Sequence, residues 1–77
     1  MTTATDERQT AAGLAAERDW QRRVGDDGRT DIFHRGTVRI RAIWQGGDKL
    51  SGASLFHDEM YESYTRDPKT LLAWFKR

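Results

Sequence analysis

Cysteine is absent from this 77-residue chain. That excludes disulfides, thiolate zinc sites and thiol nucleophiles. No run of about 18 apolar residues occurs, so the sequence offers no membrane span. The opening Met1–Glu7 has neither the basic start nor the apolar centre of a secretory signal. These absences point to a cytoplasmic protein. Neither sign of charge dominates: 13 Lys and Arg stand against 12 Asp and Glu, for a net +1. Bulk charge therefore argues neither for nor against a nucleic-acid partner.

The motifs of common chemistry are also missing. Gly46-Gly47 lacks the loop length, following helix and Lys placement of a phosphate-binding loop. Ser51, Ser54 and Ser63 have no nucleophile-elbow context. Asp26, Asp27 and Asp31 lack the alternating acids and distal Glu of a calcium loop. His57-Asp58-Glu59, with His34 elsewhere, is the one grouping that resembles a metal or acid–base site. It needs both histidines on one face to approach three or four converging ligands, and it reads as surface histidines and turn carboxylates. No catalytic residue, metal or cofactor is expected, and the chain reads as non-enzymatic.

What is present is an alternating run, Thr37-Val38-Arg39-Ile40-Arg41-Ala42-Ile43-Trp44. Val38, Ile40, Ala42 and Trp44 share one parity; Arg39, Arg41 and Ile43 share the other. A period of two marks a strand with one dry face and one wet face. Flanking segments supply strands over 29–34 and 49–57, beside 37–45 for the run itself. Arg35-Gly36 and Gln45-Gly46-Gly47-Asp48 are short enough to make an antiparallel meander. Gly52 marks a bulge that switches the facing between Leu50 and the Ala53, Leu55 pair. Residues 58–66 allow a short fourth strand or an ordered loop.

Helices flank the meander. Asp6 to Val24 is rich in helix formers. Its apolar stripe is Ala12, Ala16, Trp20 and Val24, and Gly25 is a natural stop. Asp67-Pro68 is an N-cap followed by a proline at the first helical position. The helix it opens carries Leu71, Trp74 and Phe75 on one face. The expected fold is α+β: an N-terminal helix, a three-stranded meander with a fourth strand allowed, and a C-terminal helix on the sheet. Residues 1–28 form a helix and linker able to dock on a partner; residues 29–77 form the packed domain. The expected core is Ile32 or Phe33, Val38, Ile40, Trp44, Leu55 or Phe56, Leu71, Trp74 and Phe75. A chain this small buries only roughly 60% of its unfolded surface, which favours partners or self-association.

Charge is unevenly placed. Residues 1–28 hold four Arg against six acids; residues 29–57 hold five cations against Asp31 and Asp48, for +3; residues 58–77 balance. Ten Arg against three Lys suits bidentate and stacking contacts, although a GC-rich genome gives the same bias. Two partner classes follow. A protein partner would meet Trp20 on the N-terminal helix, or Arg39, Arg41 and Ile43 on the wet face; Trp20 docked on its own sheet is the competing reading. Nucleic acid would meet Arg39 and Arg41, extended by Arg29, Arg35 and Lys49. Asp58, Glu59 and Glu62 oppose that reading if they lie beside the patch. The protein-partner reading leads, and a subunit of a larger complex is a weaker third.

The stretch Leu50–Phe75 carries Leu-x-Gly-Ala-x-Leu-Phe, then Tyr-x-x-Tyr-Thr-Arg-Asp and Leu-Leu-Ala-Trp-Phe. It resembles small orphan proteins of Arg-rich actinobacterial and actinophage genomes. The resemblance covers about a third of the chain, implies an accessory or host-interaction role, and carries over no functional residue. A three-stranded sheet capped by a C-terminal helix is also similar to some integrase arm-binding domains, an analogy of fold alone.

Overall fold

A computed structural model describes residues 7–45 and 49–76. Its elements run α1 (Glu7–Glu17), β1 (Gln21–Val24), β2 (Thr30–Arg35), β3 (Val38–Gln45), β4 (Lys49–His57), β5 (Met60–Thr65) and α2 (Pro68–Phe75). The strands form one antiparallel meander in the order β1-β2-β3-β4-β5. The fold is α+β, as expected, but the sheet has five strands rather than three or four. The turn expected at 45–48 lies, apart from Gln45, outside the described residues, as do Asp6 and Arg77. No helix among the described residues is long and apolar enough to cross a membrane.

The additional strands have local causes. The first helix ends at Glu17, well short of Val24. Asp19 takes φ 66°, Asp19 N donates to Ala16 O at 3.3 Å, and Trp20 N donates to Ala15 O at 2.9 Å. That pair of bonds around a left-handed residue is a Schellman stop, formed here without glycine. Freed from the helix, Gln21–Val24 pairs along β2, with Arg22 opposite Phe33. At the other edge, Asp58 and Glu59 both take positive φ and join β4 to β5 in a two-residue turn. Both central residues are left-handed, as a type I′ hairpin requires.

Both helices cover the same face of the sheet. Phe33, Ile40, Ala42, Trp44, Ala53 and Leu55 line that face, under Ala11 and Ala15 of α1 and Leu71, Trp74 and Phe75 of α2. The predicted core residues Phe33, Ile40, Trp44, Leu55, Leu71, Trp74 and Phe75 are all buried, and Val38 is partly so. Ser51 is skipped between Trp44–Leu50 and Ile43–Gly52, which puts Leu50 on the covered face; the bulge sits beside Gly52, where the sequence placed it. In α2, the Asp67 carboxylate accepts from Lys69 N at 3.0 Å and from the Thr70 hydroxyl at 3.3 Å, so the N-cap is as read.

The N-terminal segment belongs to this unit rather than standing apart at residue 28. The buried methyls of α1 are Ala11 and Ala15, not Ala12 and Ala16. Trp20 is only 5% exposed. Its indole N–H donates to Phe75 O at 3.0 Å, and its ring meets Phe75 edge-on at 5.5 Å. Glu7 accepts from Leu50 N at 2.9 Å. Arg8 reaches Asp31 with two bonds, from Nε at 3.0 Å and Nη2 at 2.9 Å. These ties fasten the segment to β2, β4 and α2 and bury Trp20; of the predicted stripe, Val24 stays 48% exposed.

Candidate binding face

The helix-free face of the sheet is built in cross-strand rows. Gln21, His34, Arg39, Phe56 and Tyr61 stand side by side across β1 to β5. The next row is Arg23, Ile32, Arg41, Ser54 and Tyr64. Thr30, Ile43 and Gly52 follow, and Gln45 pairs with Lys49 at the end. Successive rows lie about 6.8 Å apart along a strand. Arg39 and Arg41 are exposed, and Ile43 is 39% exposed. The three thus share one open face, as the alternation predicts.

The charges that the strands place on this face are Arg23, Arg39, Arg41 and Lys49, all cationic, with no carboxylate among the described residues of those rows. Tyr61 and Tyr64 reach this face because Glu62 is skipped between Leu55–Ser63 and Phe56–Tyr61. Without the bulge, residues three apart would point to opposite sides. The Arg39 guanidinium lies 4.8 Å from the Phe56 ring centre, and the Phe56 and Tyr61 rings meet edge-on at 6.0 Å. A shallow depression of about 540 Å³ runs along Ile32, Arg39, Arg41 and Phe56 toward Asp26 and Asp27.

The acids sit at the rim of the face: Asp26 and Asp27 line the same depression as Arg39 and Arg41, and Asp58 and Glu59 border Arg39 at the other end. Asp26-Asp27 and Asp58-Glu59 occupy the β1–β2 and β4–β5 connections, at opposite corners of a five-stranded meander. Asp27 accepts from the backbone N–H groups of Arg29 and Thr30 at 2.9 and 3.1 Å. The Arg29 bond above all holds its carboxyl below the ordinary value. Glu62 lines a pocket with Trp20, Arg35 and Leu55 on the covered side. Of the acidic run that opposed the nucleic-acid reading, only Asp58 and Glu59 border the open face, beside Arg39 and His34.

Three expected contributors fall away from the face. Trp20 is in the core. Arg35 lies on the covered side, 4.7 Å over the Trp20 ring, and donates to Arg18 O at 2.9 Å, capping the end of α1. Arg29 is exposed in the β1–β2 connection, beyond the strand rows. Lys49 remains, at the far end. The two histidines also part company. His34 stands on the open face and His57 on the covered one, because His57 pairs with Val38. His57 stands 4.0 Å from the Asp58 carboxylate, and no metal-binding cluster occurs among the described residues.

The sequence missed Asp31. It is fully buried. It takes the two Arg8 bonds, one from Trp44 Nε1 at 3.0 Å, and an ion pair with Arg22 at 3.2 Å. Burial pushes the carboxyl up, but the hydrogen bonds from Arg8 and Arg22 outweigh it and hold it below its ordinary value. A carboxylate so fully engaged is a structural anion, not a base.

Comparison with protein-family models, curated proteins and solved structures finds no match. The geometry of the face therefore carries the functional reading.

Proposed function

We propose that this chain is a small non-enzymatic binding module whose open sheet face takes single-stranded nucleic acid. One observation supports this reading above the others. The face's strand-borne charges are all cationic, and Arg39 and Arg41 share cross-strand rows with three aromatic rings, Phe56, Tyr61 and Tyr64. Cations track a phosphate backbone, while rings stack unpaired bases whatever their identity. An acidic protein segment would need the cations but not the rings. A duplex hides its base faces, so the rings would be idle against it.

Fluorescence anisotropy with labelled single-stranded DNA and RNA oligomers, read across a salt series, tests the proposal. Arg23, Arg39, Arg41 and Lys49 can neutralise up to four phosphates, so log K should fall against log salt with a slope near −3, from about −0.7 per phosphate. Absence of binding at low salt overturns it. Preference for a poly-glutamate peptide over either oligomer returns the face to a protein partner.

A further inference from the structure

Among the three rings of the open face, Tyr64 differs in how it is held. Phe56 is already covered by the Arg39 guanidinium and in edge-on contact with the Tyr61 ring. Tyr64 is 55% exposed and makes no ring contact among the described residues. It pairs with Ser54, yet its hydroxyl end reaches diagonally over Gly52. A methyl at Gly52 would overlap the Tyr64 hydroxyl and crowd Cζ and Cε1. Gly52 takes no left-handed φ, so its role is the space it leaves. The tyrosine lies down across β4, with the backbone beneath it and solvent above.

Resting on the single-strand reading, we infer that Tyr64 laid over Gly52 is the base-stacking platform, and that Gly52 is the residue that holds the ring in that pose. Arg41 stands two strands away in the same row, about 10 Å across the sheet. Arg39 follows one row on. A strand with phosphates on Arg41 and Arg39 along β3 turns its bases toward β4 and β5, where Tyr64 is the exposed ring in Arg41's row; Tyr61, also exposed, stands in Arg39's row in edge-on contact with Phe56. Recognition of this kind takes any base, because every base has a π-face. The ligand class is an unpaired strand with little sequence preference.

The test compares an oligothymidylate with an abasic strand of equal length, which keeps the phosphates and lacks the bases. Wild-type protein should prefer the base-bearing strand about tenfold or more. Tyr64→Ala should erase that preference by weakening thymidylate binding and leaving abasic binding as it was. Gly52→Ala should do the same, and the double variant should lose no more than either alone, since both act on one platform. Circular dichroism checks the fold of the Gly52 variant; if it unfolds, the Tyr64→Ala comparison decides alone. Equal wild-type binding of both strands, or an unchanged preference in Tyr64→Ala, overturns the platform while leaving phosphate binding intact. No binding of either strand overturns the underlying reading instead.

Discussion

Trp44 Nε1 donates to Asp31 Oδ2 at 3.0 Å in the buried space between sheet and helix. The same oxygen accepts from Arg8 Nε, while Oδ1 takes Arg8 Nη2 and Arg22 Nη2. One carboxylate thus joins α1, β1, β2 and β3. Removing it leaves two guanidiniums and an indole N–H without their acceptor. Breaking a buried pair from one side costs about 3–5 kcal/mol, against a total of roughly 4–12 kcal/mol for a chain of this length. Asp31→Ala should therefore lower the urea midpoint by about half, taking the centres of the two ranges. A midpoint within experimental error of wild type would show that the network contributes nothing net.

The same carboxylate sets an acid limit. Its pKa is lower folded than unfolded, where the ordinary value is 3.8. Protons then bind the unfolded chain more readily, so the stabilisation is present above pH 4 and is lost as pH falls through the folded pKa. Urea midpoints measured from pH 6 downward should stay level to about pH 4 and then drop. The drop should be shallower in Asp31→Asn, which starts from a lower plateau. A midpoint that rises on acidification contradicts this sign.

Asp19 and Glu59 are left-handed residues with side chains, at φ 66° each. An L-residue there costs about 1–2 kcal/mol relative to its relaxed state, and glycine does not bear that cost. Aspartate tolerates the region better than glutamate. Glu59→Gly converts the β4–β5 turn to Asp-Gly, a favoured type I′ pair. It should raise Tm by about 4–8 °C, as expected for ~1 kcal/mol in a domain of this size. Asp19→Gly should give a smaller rise, because aspartate already tolerates the left-handed region and less strain is relieved. A fall in Tm for Glu59→Gly would mean that the glutamate side chain makes an offsetting contact.

These two residues also mark where the sequence was hard to read. A glycine at position 19 would have announced the helix stop; an aspartate amid good helix formers does not. Gln21–Val24 is exposed throughout, so no burial pattern betrays the strand, and only β2 makes it one. Glu62 hides the second half of the open face: a strict period of two sends Tyr61 and Tyr64 to opposite sides, and one bulged residue reunites them. Where burial and capping chemistry are local, as at Val38–Trp44 and Asp67-Pro68, the sequence is explicit. Where a left-handed residue or a bulge shifts the phase, it is not. Asp31 is legible from neither kind of signal, because its partners lie 23 residues before it, in Arg8, and 13 after it, in Trp44.

Arg39 and Arg41 differ from Arg35 in what they touch, although all three are arginines of adjoining strands. Arg39 covers an exposed-face ring, and Arg41 makes no ion pair among the described residues. Their replacement by alanine together should lower stability by no more than about 1 kcal/mol, the scale of an exposed cation–π contact. It should flatten the salt dependence of oligomer binding by about 1.4 in slope, from about 0.7 per lost phosphate contact on a single strand. Arg35→Ala should do the reverse. It removes the cation over the buried Trp20 ring and the cap on Arg18 O, costing about 1–2 kcal/mol, while the binding slope stays at the wild-type value. Urea midpoints and anisotropy titrations on the same three proteins give both readouts. If the Arg39, Arg41 double variant unfolds while Arg35→Ala keeps full stability and loses binding, the two faces of the sheet have been assigned the wrong way round.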